Sequence, residues 1–208
     1  MTRKRVGLVV FDNVEVLDFC GPFEVFSATR IDENKRQDTL SPFETVLIAE
    51  KVQPIIATGN MKVIPDYSFD TCPKIDILIV PGGFGTRKES KNPVMLEWLK
   101  VKNDEVELVA SVCTGSLLLG YCGLLNRLSA TTHWLLLDWM HNNFPNVNVV
   151  RDEHVIEQGR IITSAGISAG IDMALIVVAR YYGIEIAKNT AKYMEYPYPE
   201  NNKRRIAI

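Results

Sequence analysis

The sequence lacks the cysteine and histidine patterns of disulfide-bonded and zinc-binding proteins. Its four cysteines include no CxxC pair, and its three histidines include no HxxxH or HxH pair. Scattered cysteines of this kind are typical of a reduced intracellular compartment, and they make poor zinc ligands. We therefore expect a cytoplasmic protein with neither a disulfide framework nor a metal site.

Long apolar runs are also missing. The longest apolar stretch late in the chain, residues 161–179, is interrupted by Ser164, Ser168 and Asp172, so it falls short of a membrane-spanning helix. The apolar residues 6–11 that follow the basic N-terminus are too few for a signal peptide. The sequence predicts neither export nor a membrane partner.

No charge of one sign dominates. The 23 Lys and Arg residues oppose 25 Asp and Glu residues, which gives a net charge of -2. This balance provides no electrostatic reason to expect nucleic acid or anionic lipid as a partner. We interpret the basic cluster Lys203-Arg204-Arg205 as a solvated tail.

The chain does have alternating strand and helix patterns. Its 208 residues, 47% of them hydrophobic, are enough for one domain covering residues 1–208. Short β-branched runs alternate with helical segments, which predicts an α/β fold with a mostly parallel, doubly wound sheet. Strands are predicted at residues 6–11, 43–49, 75–80, 106–112 and 147–151, a hairpin at 155–163, and helices at 21–29, 92–102, 116–125, 132–143, 168–182 and 185–194.

Three segments with chemical potential follow predicted strands. Residues 12–18 follow the first strand, residues 81–85 (PGGFG) follow the third, and Cys113 follows the fourth. Ligands of open α/β sheets bind at the carboxyl ends of the strands. We expect one crevice to hold all three segments.

Cys113 is the strongest candidate for chemistry. It lies between an apolar strand and the segment Thr114-Gly115-Ser116, where a helix is predicted to begin. Small residues permit a tight turn there, and the unpaired N–H groups of a helix N-terminus favour a thiolate. Although most cysteines on apolar strands only pack, this context predicts a nucleophile.

Asp18 and the glycine turn are candidates with simpler alternatives. Asp18 lies among apolar residues, where burial raises a carboxyl pKa and allows proton transfer near neutral pH, but it could instead cap the helix predicted at residue 21. Gly82 and Gly83 can present backbone N–H groups to a substrate, or form a turn without chemistry. No helix is predicted directly after Gly85, and the third glycine of a dinucleotide motif is absent.

His133 is the best placed histidine, whereas His141, His154 and Glu24 are interpreted as solvent-exposed. A Cys/His pair would generate a thiolate. His133 also fits the first turn of the helix predicted at residues 132–143, with Thr132 as its N-cap, and this structural interpretation is favoured over a catalytic one. We count His133 among the substrate-binding candidates.

Four segments together resemble the DJ-1/PfpI superfamily, and the resemblance runs nearly end to end. They are VGLVVFDNVEVLDFCGPFEVF (6–26), ILIVPGGFG (77–85), SVCTGSLLLGYCGLLNRLSATTHW (111–134) and ITSAGISAGIDMALIVV (162–178). The LDFxGP, CTGS and ATTHW segments are most similar to isonitrile hydratases and to the N-terminal domains of AraC-type regulators. The resemblance implies a flavodoxin-like three-layer sandwich with a mostly parallel sheet, and a homodimer.

The resemblance also implies roles for individual residues. Cys113 becomes the nucleophile and Asp18 its proton donor or acceptor, with Gly83 and Thr114 supplying pocket amides. By analogy, Phe84, Trp134 and residues 164–166 form pocket walls. Other branches carry a histidine directly after the nucleophile, where this chain has Thr114, and this difference disfavours a Cys/His protease triad.

Three functional interpretations stay open at this point. The first is a cofactor-independent enzyme acting on a small molecule through Cys113, most concretely by hydrating an isonitrile to an N-formamide. The second is another thiol chemistry, such as amide hydrolysis or a glyoxalase-like reaction. The third is a non-catalytic sensor or regulator whose Cys113 is oxidised. No DNA-binding helices are expected within the 208 residues, which weighs against a complete AraC-type regulator.

Overall fold

The computed structural model describes residues 2–206. Its strands are β1 (Lys4–Val9), β2 (Phe43–Ala49), β3 (Ile55–Ile56), β4 (Lys62–Val63), β5 (Tyr67–Ser68), β6 (Ile77–Val80), β7 (Leu108–Val112), β8 (Ser129–Ala130), β9 (Asn148–Val149), β10 (Val155–Gln158) and β11 (Ile161–Ser164). The α-helices are α1 (Val16–Ala28), α2 (Thr86–Glu89), α3 (Pro93–Glu105), α4 (Gly115–Tyr121), α5 (Leu137–Asn143), α6 (Ala169–Tyr182) and α7 (Ile184–Tyr193). Single 3-10 turns lie at Glu33–Lys35, Thr58–Asn60 and Trp134–Leu136.

The central sheet has seven strands in the order β10-β11-β7-β6-β1-β2-β5. All neighbours pair in parallel except β10 and β11, which form the predicted antiparallel hairpin. Helices α1, α6 and α7 pack together, whereas α2 and α3 each contact α4 as a separate group. The predicted α/β sandwich with a mostly parallel sheet is confirmed.

The central strands explain why the fold can be predicted from apolar runs. Every residue of β6 and β7 is buried, as expected for strands covered by helices on both faces. At Gly7 of β1, an added Cβ would lie 2.6 Å from the Ile48 side chain and 2.9 Å from that of Ile75, so the sheet and its cover need glycine there. Because β1, β6 and β7 are parallel neighbours, their carboxyl ends lie at the same edge of this buried sheet.

Several predicted boundaries are wrong. Helix α1 begins at Val16 rather than at residue 21, because Pro22 is tolerated within the helix. The helix predicted from Thr132 begins only at Leu137, after a 3-10 turn. A short helix, α2, does follow Gly85, contrary to expectation. Short strands β3, β4, β5 and β8 were not predicted, since two-residue pairings carry little periodic signal.

The basic cluster near the C-terminus is not a solvated tail. Arg204 donates to Thr131 Oγ1 (2.8 Å), to the Thr132 carbonyl (3.2 Å) and to the Arg151 carbonyl (2.7 Å). Arg205 pairs with the buried Asp172 at 2.8 Å. Two of the three basic residues thus fasten the final segment to the domain surface.

His154 is also buried, not exposed as predicted. Only 7% of its surface is accessible, and its Nε2 lies 3.1 Å from Asp172 Oδ2. His141 and Glu24 are exposed, in agreement with the sequence interpretation. Among residues 2–206, no helix has the length and apolar character needed to cross a membrane.

Candidate active site

Cys113 lies at a strained turn between β7 and α4. Its φ of 57° falls in the left-handed region, which is costly for a residue other than glycine. The backbone N–H of Cys113 faces the carbonyls of Ser164 and Ala165, both at 3.2 Å. Its carbonyl accepts hydrogen bonds from Ser116 Oγ (3.1 Å) and Thr132 Oγ1 (3.0 Å). These contacts from three segments hold the turn that the sequence predicts.

The Cys113 side chain lines a cavity of about 160 Å³. The residue is only 5% exposed, so the thiol is reached through this cavity rather than from an open surface. We name it the inner cavity. Its lining consists of Glu15, Gly83, Phe84, Arg87, Cys113, Thr114, His133, Leu135, Leu136 and Ile167.

Asp18 is fully buried beside this thiol, in the first turn of α1. Its Oδ2 accepts a hydrogen bond from the Gly82 N–H at 2.9 Å, while Oδ1 has no hydrogen-bond partner among residues 2–206. Burial raises the pKa of Asp18 to about 8, although the Gly82 N–H and the Cys113 thiol act in the opposite direction. Asp18 is therefore mostly a neutral acid at pH 7. The alternative role as a helix N-cap is wrong, because Glu15 occupies that position.

The pKa of the Cys113 thiol is shifted in the direction opposite to the one that the sequence predicts. Burial raises the pKa of Cys113 well above its usual value, and Asp18 raises it further once that carboxyl is ionised. The Thr114 N–H stabilises the thiolate but does not offset these effects. The sequence predicts a lowered pKa from the helix N-terminus. In the folded chain, desolvation of the sulfur outweighs that dipole because Cys113 is almost fully enclosed.

The backbone N–H groups of Gly82 and Gly83 donate to acceptors of the protein and are not free to bind a ligand. The Gly82 N–H donates to Asp18, and the Gly83 N–H donates to Thr114 Oγ1 at 3.0 Å. Gly83 has a φ of 118°, and a Cβ there would collide with the backbone around Glu15. These two glycines therefore allow three loops to approach closely, which differs from the predicted role as substrate N–H donors.

His133 reaches the inner cavity, but not as the first residue of a helix. It caps the 3-10 turn, and its Nδ1 accepts a hydrogen bond from the Leu135 N–H at 3.3 Å. Burial and the charge of Arg204 lower the His133 pKa, so its ring is neutral near pH 7. A Cβ built on Gly166 would lie 2.8 Å from Cys113 Sγ and against the His133 ring. The imidazole and the thiol thus converge on Gly166.

The structure brings together the candidates that the sequence singles out. Asp18, Gly82, Gly83, Cys113, Thr114 and His133 all lie in or directly behind the inner cavity. Of the walls inferred by analogy, Phe84 lines the cavity, whereas Trp134 does not. Among residues 2–206, no group of three His, Cys, Asp or Glu side chains is arranged to hold a metal ion.

Glu15, Arg87 and Ile167 line the cavity without having been identified from the sequence. Glu15 and Arg87 are ordinary charged residues in loops and short helices, with no motif that distinguishes them from surface residues. Glu15 does belong to the segment 12–18 that is expected in the crevice, and its N–H donates to the Gly82 carbonyl at 3.0 Å.

Comparison with characterised proteins gives relatives of several kinds. The chain is 30% identical over 193 residues to an isonitrile hydratase of Pseudomonas putida, covering 92% of this chain and 78% of that protein. It is 31% identical over 134 residues to the HTH-type transcriptional regulator CdhR of Pseudomonas aeruginosa, covering 64% of this chain and 39% of the regulator.

A solved structure and a family model extend over most of the fold. The crystal structure of a ThiJ/PfpI family protein from Pseudomonas syringae superposes with a TM-score of 0.82 at 28% identity, covering 97% of this chain and 79% of that one. The model of the DJ-1/PfpI family matches residues 4–180, from the first strand through most of α6. The elbow of Cys113 and the first turn of α1 with Asp18 both fall inside that span, and the chain belongs to the DJ-1/PfpI family.

Proposed function

We propose that this protein is an enzyme that hydrates an isonitrile to an N-formamide through Cys113. The observation that carries the proposal is a pair of neighbouring buried groups, the Cys113 thiol at the wall of the inner cavity and the protonated Asp18 carboxyl behind it. An isonitrile carbon must gain both a nucleophile and a proton, and this pair supplies one of each. The similarity to an isonitrile hydratase supports the same reaction.

The first step adds the thiol across the terminal carbon of R–NC. The sulfur forms a bond to that carbon while Asp18 donates its proton to the same atom, and the proton that leaves the sulfur restores the Asp18 carboxyl. The product is a thioimidate, R–N=CH–S–Cys113. Because each proton lost by one group is gained by another, neither Cys113 nor Asp18 needs to carry a lasting charge in the buried site.

The second step consumes one water molecule. Water adds to the thioimidate carbon with Asp18 accepting and returning a proton, and the C–S bond of the resulting adduct then breaks. The N-formamide leaves and Cys113 regains its hydrogen. The net reaction is the addition of water to the isonitrile, with no change of oxidation state that requires an oxidant or reductant.

The raised thiol pKa also bears on the alternatives. A redox sensor depends on a thiolate, since oxidation to sulfenic and sulfinic acid proceeds from that form. Burial and Asp18 both disfavour a thiolate at Cys113, which makes oxidation slow. The addition proposed above needs no lasting thiolate, because the thiol proton moves to Asp18 as the C–S bond forms. Amide hydrolysis would need a donor for the carbonyl oxygen, and the Gly82 and Gly83 N–H groups are already bonded to protein acceptors.

Incubation with a panel of isonitriles, glyoxals and amides tests the proposal, with product and Cys113 adducts followed by mass spectrometry. We expect formamide from the isonitriles, and no formamide from Cys113→Ala. Cys72→Ala is the matched control, because Cys72 is a half-buried thiol in the loop before β6. Formamide production by Cys113→Ala at the wild-type rate would overturn the proposal. The homodimer implied by the family resemblance stays a prediction.

A further inference from the structure

A second cavity adjoins the inner cavity on the side of α2 and α4. Its volume is about 340 Å³, and it shares Arg87, Thr114 and Leu136 with the inner cavity. We name it the outer cavity. Because the two cavities have three lining residues in common, the outer one offers space beside that of a molecule whose reactive end contacts Cys113.

The outer cavity is lined by positive charge and by aromatic rings. Arg87 and Lys91 are its charged residues, and no carboxylate lines it. Within residues 2–206, neither cation forms an ion pair within 4 Å. Tyr121 and Trp139 line the same space, with ring centroids 6.2 Å apart.

Arg87 lies at the junction of the two cavities. Its guanidinium carbon is 5.0 Å from the centroid of the Phe84 ring, and Phe84 lines the inner cavity. Stacking on an aromatic face holds a guanidinium in place while leaving its N–H donors available. A ligand anion in the outer cavity could therefore accept hydrogen bonds from Arg87.

The two cavities differ in charge. In the inner cavity the carboxylate of Glu15 offsets Arg87, and the neutral acid Asp18 lies behind Cys113, so the side of the sulfur offers an anion no net positive charge. The outer cavity offers two cations and no acid. An elongated ligand with a neutral reactive end and an anionic far end matches this arrangement, and the reverse orientation does not.

We propose that the substrate of Cys113 carries a carboxylate, which binds Arg87 and Lys91 in the outer cavity. A short apolar or aromatic body links it to the reactive carbon and packs against Tyr121 and Trp139. This inference rests on the proposed function, because it takes the Cys113 sulfur as the reacting atom. It adds that the substrate carries a carboxylate, whichever electrophilic group reacts with the sulfur.

Two alkylating reagents that differ in charge test this without an isonitrile. 4-(Bromomethyl)benzoate and 4-(bromomethyl)benzamide both transfer a benzyl group to a thiol, and they carry a carboxylate or a neutral amide at the far end of the ring from the reacting carbon. Their rates at Cys113 are measured by peptide mass spectrometry and divided by their rates with glutathione. We expect the normalised rate to be about fivefold higher for 4-(bromomethyl)benzoate at low ionic strength, since exposed ion pairs are weak and screened by salt. The preference should disappear in Arg87→Gln/Lys91→Gln.

The matched control is Lys188→Gln/Lys192→Gln, which removes two exposed cations from α7, outside both cavities. This variant has the same net charge as the test variant and should keep the wild-type preference. Equal normalised rates in the wild type, or a preference for 4-(bromomethyl)benzoate that survives in Arg87→Gln/Lys91→Gln, would overturn the carboxylate proposal.

A binding measurement separates this proposal from the proposed function. Benzoate should raise the melting temperature of the wild type more than benzamide does, and the difference should vanish in Arg87→Gln/Lys91→Gln. If neither alkylating reagent modifies Cys113, the reactive thiol of the proposed function is contradicted, and the benzoate comparison alone decides the carboxylate site. If benzoate and benzamide stabilise the wild type equally, the carboxylate site is wrong whatever Cys113 does.

Discussion

The backbone N–H of Gly82 donates to Asp18 Oδ2 at 2.9 Å, and this contact determines which oxygen can hold the proton of the buried acid. Oδ1, which has no partner among the described residues, is the oxygen left to carry it. A Cβ at Gly82 would lie 2.9 Å from Oδ2 and 2.6 Å from Thr114 Oγ1. The glycine therefore allows the loop after β6, the first turn of α1 and the elbow of Cys113 to meet around one carboxyl group.

Asp18→Asn should remove a pH dependence of stability. The folded-state pKa of about 8 exceeds the ordinary carboxyl pKa of 3.8, so between these values the native state holds a proton that the unfolded state has lost. The free energy of unfolding of the wild type should fall as the pH rises through this window and level off above about 8. At pH 9 the Asn variant should be more stable by up to about 5 kcal/mol.

Urea denaturation of both proteins at pH 5, 7 and 9 measures this difference. Comparing the two proteins at each pH cancels the contribution of the other titrating groups. A difference in unfolding free energy that stays constant from pH 5 to pH 9 would show that Asp18 is already ionised in the folded protein.

The pH dependence of turnover distinguishes Asp18 as acid from Cys113 as thiolate. If Asp18 must donate a proton, kcat/KM for the isonitrile should be level near pH 6 to 7 and fall as pH rises through about 8. If ionisation of the thiol limits the rate, kcat/KM should instead rise with pH, because burial raises the Cys113 pKa. Measuring kcat/KM from pH 6 to pH 10 distinguishes the two, since it falls with pH in the first case and rises in the second. Asp18→Asn should lose at least about 100-fold in kcat/KM.

Cys113→Gly should be more stable than Cys113→Ala. At φ 57° every residue except glycine is strained, and Ala keeps this strain whereas Gly relieves it. We expect a gain of about 1 kcal/mol in the free energy of unfolding. Thermal and urea denaturation of the two inactive variants tests this. Equal stabilities would indicate that the left-handed conformation at residue 113 is not retained when the sulfur is removed.

Arg205→Gln should destabilise the fold more than Lys203→Gln does. Arg205 is 2.8 Å from the fully buried Asp172, which also accepts a hydrogen bond from Tyr196 Oη at 2.9 Å. Removing the Arg205 guanidinium leaves the buried Asp172 carboxylate without this cation. The partly exposed guanidinium limits the expected loss to about 1–2 kcal/mol. Lys203 is exposed and should change stability by less than about 0.5 kcal/mol. Equal effects of both substitutions would contradict a docked C-terminal segment.

Long apolar strands and their turns could be predicted, because burial on both faces of the sheet leaves a continuous run of apolar residues. β2 has its predicted bounds, and Cys113 lies at the predicted break after β7. The direction of the thiol pKa could not be predicted, because it depends on how completely Asp18 and the loops around it exclude water. The burial of His154 and the docking of Arg204 and Arg205 depend on contacts between segments about 20 to 70 residues apart, which no local pattern records.

Gly166→Ala should block the approach to Cys113 while leaving the protein folded. The new methyl group would lie 2.8 Å from Cys113 Sγ and against the His133 ring, so it fills the space that a substrate carbon must enter. Alkylation of Cys113 by iodoacetamide should slow by at least about tenfold, since a small displacement of reacting atoms is costly. Gly170→Ala is the matched control, because its methyl group would meet Val112 in the packing between α6 and the sheet, at 3.0 Å. That variant should lose stability but keep a Cys113 alkylation rate closer to that of the wild type, and the reverse pattern would place the entry to the sulfur elsewhere.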